Sequence, residues 1–136
     1  MRRSYFALPL ALAALAAGCG AGPSSAGDFE GEEKRVADVV EKLQSAGETG
    51  DAAEICNDVI SRELRDQFQE AGANCEQELD KAIRDADDFE LDVEEVTIDG
   101  DSATAKVRGR DGGEERVRDF EFVREGSSWR ATSLGS

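Results

Sequence analysis

Hydrophobic and polar positions divide the chain into three stretches with different periods. From Tyr5 to Ala17 there is no charge, only Phe, Leu, Ala, one Tyr and Pro9, behind the basic pair Arg2-Arg3. A helical period follows. Val36, Val39, Val40 and Leu43 recur at i, i+3, i+4 and i+7, with acids early and Gly47 near the end, which predicts a first helix. Asp51 is placed to cap a second helix with Ala52, Ile55, Cys56 and Val59/Ile60 on its apolar face. Ser61 is placed to cap a continuation carrying Leu64, Phe68 and Ala71, which Gly72 stops. Asn74, with Gln77 three residues on, has the form of a capping box. The helix it opens would bury Cys75, Leu79, Ala82, Ile83 and Ala86.

The second half changes to a period of two. Phe89, Leu91 and Val93 alternate, while Val96 and Ile98 continue in the opposite phase, so a β-bulge is expected at Glu94-Glu95. Asp99-Gly100 is a tight-turn signal. Ala103, Ala105 and Val107 then alternate against Thr104, Lys106 and Arg108, the pattern of a half-buried strand. Past Arg110-Asp111-Gly112-Gly113, a third strand holds Val117, Phe120, Phe122 and Val123, also with a change of phase. Gly126-Ser127-Ser128 turns into a last strand with Trp129, Ala131 and Leu134. Helices first and an antiparallel meander second predict an α+β fold: N-terminal helices packed on a curved, bulged sheet of about four strands.

The uncharged run of 13 residues is short of the roughly 20 needed to span a bilayer as a helix. It fits the apolar region of a secretory signal. Small residues stand directly before a cysteine in Ala16-Ala17-Gly18-Cys19, which resembles a bacterial lipobox, although the usual Leu falls one place early, at Leu15. An ordinary signal-peptidase site in the same Ala-rich segment is the competing reading. The expected organisation is a lipoprotein signal peptide over 1–18, a flexible tether over 19–29 and an α+β domain over 30–136. The string GAGPSSAGD after Cys19 has linker composition. Cys19 would carry the lipid, palmitate among its acyl chains, and so fix the protein to the extracytoplasmic face of the cell membrane. Stable anchoring takes two or more chains.

Cleavage before Cys19 removes Arg2 and Arg3 and no acid from 16 basic and 31 acidic residues, taking the formal charge from −15 to −17. So acidic a domain lacks the basic footprint that nucleic acid or anionic lipid requires. About 105 residues remain for one small domain. Cys56 and Cys75 are then an even pair in an exported chain, most simply a disulfide, both lying on the apolar face of their helices. Two thiolates and no histidine cannot complete a usual zinc set, and the spacing is not that of a redox C-x-x-C pair.

Several features carry a resemblance. The link GETGD leads to a helix bearing Ile55-Cys56, a later G-x-N-C ends at Cys75, a V-x-I-D-G-D-S-A-T-A-x-V hairpin follows, and G-S-S-W-R opens the terminal strand. Together they resemble lipoproteins of the nuclear-transport-factor-2-like superfamily, of the type found in actinobacteria, over most of 30–136. The resemblance implies a cone, a curved sheet wrapped around helices and often enclosing a pocket. It does not imply an activity, because the same fold hosts enzymes, ligand binders and assembly modules.

Candidate chemistry is sparse. The chain has no histidine, and its single tyrosine, Tyr5, lies in the signal region. An enzyme of isomerase or dehydratase type would have to use a buried carboxylate. Asp119, on the face of Val117, is the positional candidate, against the plainer reading that it faces solvent or pairs with Arg116 or Arg118. Asp85, Asp87, Asp88 and Glu90, or Asp99 with Asp101, invite a calcium reading but lack the EF-hand spacing. Trp129 is either a pocket wall or core. The expectation is a non-catalytic module without cofactor or metal. It would be held on the bilayer through Cys19 and bind a small apolar ligand or an envelope protein; a purely structural role is the third possibility.

Overall fold

A computed structural model describes residues 26–86 and 88–135; Cys19 and the expected signal lie outside them. A single 3-10 turn, Ala26–Asp28, precedes α1 (Gly31–Thr49). Ala26 is already core, and its N–H donates to Glu41 Oε1 at 3.3 Å. The first helix buries Val36, Val40 and Leu43 as its spacing predicts, together with Ala37 and Ala46. It ends at Gly50, whose φ of 74° lets the chain reverse, with the Asp51 N–H returning to the Ala46 carbonyl at 2.8 Å.

Asp51 caps the next turn by accepting the Glu54 N–H at 2.9 Å. The expected single second helix is instead a short α2 (Ala52–Glu54) that widens into a π turn, Ile55–Val59. The Ile60 N–H donates to the Ile55 carbonyl at 3.0 Å, a five-residue step. Ile55, Cys56, Val59 and Ile60 are all buried along this turn. Ile60 then leaves in extended geometry and pairs in parallel with Ala131, with the Ser61 N–H donating to the Ala131 carbonyl at 2.8 Å.

The two remaining helices start where the caps predict. Ser61 Oγ accepts the Leu64 N–H ahead of α3 (Arg62–Glu70), and Asn74 Oδ1 accepts the Gln77 N–H ahead of α4 (Cys75–Asp85). Neither helix has a fully buried residue. The predicted stripe of α4 is only half-buried at Cys75, Leu79 and Ile83, and Ala82 and Ala86 face solvent. This helix lies on the flank of the body, so one edge of it suffices for contact.

The second half is a four-stranded antiparallel meander, β1 (Asp92–Asp99), β2 (Ser102–Asp111), β3 (Glu114–Glu125) and β4 (Ser128–Ser133), in the order β1-β2-β3-β4. The β1–β2 register shifts between Val93 and Glu95, which is the bulge expected there. The expected phase change within the third strand is absent: β2 and β3 pair without interruption from Ser102–Val123 to Asp111–Glu114. Val117 therefore points away from the core and is 51 % exposed. The second irregularity lies on β4, where Thr132 is the extra residue between the Phe122–Ala131 and Glu121–Ser133 pairs. Val93, Val96, Ala103, Ala105, Val107, Phe120, Phe122, Trp129 and Ala131 form the inner face against α1. The outer face is polar, with Lys106 beside Asp119 and Arg108 bonded to Glu94.

Candidate functional site

The cysteines resolve as the sequence implies where they are described. Cys56, on the π turn, is bonded to Cys75, the first residue of α4, with Cα atoms 6.2 Å apart. The bond pins a helix with little buried surface to the deepest part of the helical layer. Neither sulfur is therefore a free thiol nucleophile.

Asp119 does share a face with Val117, but that face is solvent. Its carboxylate lies 3.4 Å from Lys106 Nζ on the open side of the sheet, with neither side chain buried. Asp85 ends α4, and Asp88 Oδ1 accepts the Glu90 N–H at 2.9 Å in a local turn. Asp87 lies outside the described residues. Asp99 ends β1 and Asp101 occupies the following turn. Among the described residues no three His, Cys, Asp or Glu side chains converge as a metal site would require.

Trp129 is core, 3 % exposed, and it belongs to a polar cluster that residue spacing does not reveal. Its indole N–H donates to Glu32 Oε2 at 2.8 Å, and Arg124 Nη2 donates to the same oxygen at 3.0 Å. The Arg124 guanidinium stacks over the indole, 4.7 Å from the ring centroid. Its backbone N–H donates to the Asp101 carbonyl at 2.8 Å, and its buried Nε, without a hydrogen bond, has Asp101 Oδ1 at 3.6 Å. The indole bond holds the Glu32 carboxyl below the ordinary carboxylate range; partial burial opposes this, and the charges of Arg124 and Arg35 reinforce it. The cluster thus favours the ionised carboxylate at the first turn of α1 and ties that turn to β3 and β4. A general acid needs the opposite shift.

The inner sheet face opens at more than one place, and one opening lies beyond the end of the core. Leu91, Val107 and Phe120 floor a recess of about 70 Å³, with Arg110, Arg116 and Arg118 around it. Arg118 is bonded to Asp111 at 2.6 Å, and Arg116 lies 3.5 Å from Glu114. Small-molecule sites usually occupy about 300–1,000 Å³. The centre of the face is filled, by Trp129, Phe120 and Phe122 above all, while a wider open recess of about 490 Å³ lies beside α3, between Leu64, Gln67, Ala103, Phe122 and Thr132. Among the described residues no helix is long and apolar enough to cross a membrane. Compared with known proteins, the chain matches no family model and no curated protein.

Proposed function

We propose that this chain is an exported lipoprotein whose Cys19 carries the anchoring lipid. On this reading its α+β domain is a non-catalytic module that binds a protein of the cell envelope. The observation that carries the reading is the Cys56–Cys75 bond. Disulfides persist in oxidising compartments and are rare in cytosolic proteins, so the bond agrees with the exported destination that residues 1–18 encode. The cysteine left over stands where a lipoprotein signal places its acyl acceptor.

The binding role draws support from what the fold offers chemistry. Among the described residues the carboxylate with a shifted titration is Glu32, and it is shifted toward the ionised form. The carboxylate that an isomerase-like mechanism would use, Asp119, is exposed beside Lys106. The recess floored by apolar side chains is only about 70 Å³, and the larger recesses are open and largely polar, which favours a protein partner over a small apolar ligand. The helix-first order and the bulged meander are in keeping with the resemblance to the nuclear-transport-factor-2-like superfamily.

Fractionation of cells making the full chain tests the anchor. The unaltered protein is expected in the membrane fraction, and Cys19→Ala in the soluble extracytoplasmic fraction. Membrane association unchanged by the substitution would overturn the reading.

A further inference from the structure

Acids outnumber bases almost two to one in this chain, and most arginines reflect it. Arg35, Arg84, Arg108, Arg116, Arg118 and Arg124 each have a carboxylate partner. Arg62 and Arg65, on the first turn of α3, have none among the described residues, and they do not stand apart from each other. With Arg130 of β4 they line one open recess of about 550 Å³, completed by Glu125 and Gly126 of the β3–β4 turn.

The recess is organised around negative charge. Glu125 reaches across from the turn, and both of its carboxylate oxygens accept the Arg62 N–H, at 3.1 and 3.0 Å. The free N–H group at the start of α3 is therefore already satisfied within the chain, and the helix terminus is not what remains open. What remains open is the guanidinium set. Arg130 is held in place by the Asn57 carbonyl at 2.7 Å, with Asp58 Oδ1 at 4.0 Å and only 22 % of its side chain exposed. Arg62 and Arg65 line the same recess from α3. Three guanidiniums against Glu125 and Asp58 leave a local positive excess in a strongly acidic molecule. Planar guanidinium forks match the oxygens of a tetrahedral anion better than any other side chain does.

The geometry points to a phosphate-binding site between Arg62, Arg65 and Arg130, with Glu125 as a built-in competitor for the same charges. The site is independent of the lipid anchor. The ligand is a phosphate group, carried either by a free molecule or by a single lipid headgroup, which this local set of charges would hold although the acidic domain as a whole lacks a basic footprint for an anionic surface.

The chain's single tryptophan, Trp129, adjoins Arg130 and serves as the reporter. Its emission is followed while inorganic phosphate is added at constant ionic strength, with chloride as control. A saturable change specific to phosphate is expected. Arg65→Gln should weaken it on the order of tenfold, the worth of one charge-assisted bond. Glu125→Gln, which keeps an acceptor for the Arg62 N–H, should strengthen it several-fold. Arg110→Gln, which removes an unpaired arginine far from the recess, should leave it unchanged. In a second arm, Cys19→Ala protein, which lacks the acyl chains, is floated with phosphatidylcholine vesicles with and without phosphatidylglycerol. Binding of phosphate in solution without flotation assigns a free ligand. Flotation that requires phosphatidylglycerol and is lost in Arg65→Gln assigns a headgroup. No saturable response in either arm, or a response that Arg65→Gln leaves intact while its circular dichroism is native, overturns the site.

Discussion

Glu32 and Trp129 lie 97 residues apart and are joined by a 2.8 Å hydrogen bond from the indole to the carboxylate, which closes the N-terminal helix onto the last strand. The bond holds the Glu32 carboxyl below its ordinary range. A depressed carboxylate contributes stability that is fully present above its unfolded-state value, about 4.3, and lost as pH falls through the folded one. Urea unfolding should therefore show stability falling as the medium is acidified below about pH 4.3. Glu32→Gln should flatten that fall and lower the plateau at neutral pH. An unchanged pH profile would contradict the assignment. The half-exposed carboxylate is screened by water, so the effect is expected to be modest.

The Cys56–Cys75 bond closes a loop with a sequence separation of 19, for which chain entropy gives about 3 kcal/mol. Since α4 has no fully buried residue, its loss should be felt there first. Cys56→Ser with Cys75→Ser should lower unfolding stability by about that amount. Hydrogen exchange should quicken in α3 and α4 while α1 and the sheet retain protection. Uniform loss of protection would show that the bridge supports the whole core.

Gly47 is buried on α1, and a Cβ there would fall inside the van der Waals envelope of the Phe89 ring. Alanine gains about 1 kcal/mol in helix propensity, whereas overpacking costs about 1–3 kcal/mol. Gly47→Ala is expected to destabilise the protein, and to stabilise it once Phe89→Ala has emptied the site. A double-mutant cycle with no coupling would contradict the contact.

The uninterrupted β2–β3 register makes Val117 and Phe120 opposite in consequence. Val117→Thr should change stability by less than about 0.5 kcal/mol, as exposed substitutions do. Phe120→Ala, at 6 % exposure, should cost about 3–5 kcal/mol. Denaturant midpoints at equal slope measure both.

Much of this fold was legible from short-range signals. Asp51, Ser61 and Asn74 cap as their neighbours demand, because a cap depends on only three residues of chain. The bulge beside Glu94 was readable because a hydrophobic phase shift has no other local remedy. The same logic failed at Val117. An exposed valine on a β-rich outer face mimics an inward one, and only pairing with β2 shows that the register never slipped. The π turn was hidden for the opposite reason: Ile60 abandons the helix to bond with Ala131, a partner 71 positions away. The Glu32–Arg124–Trp129 cluster and the Arg62–Arg65–Arg130 recess lay beyond reach for the same cause. Each joins elements that nothing local relates.

The central claim is that Cys19 becomes the lipid-bearing first residue of the exported protein. Mass analysis of the N-terminal peptide, from protein recovered from the membrane of a cell that processes lipoproteins, measures this directly. The account predicts a peptide that begins at Cys19 and carries the added mass of its acyl chains. A mature chain beginning elsewhere, or an unmodified Cys19, would contradict it.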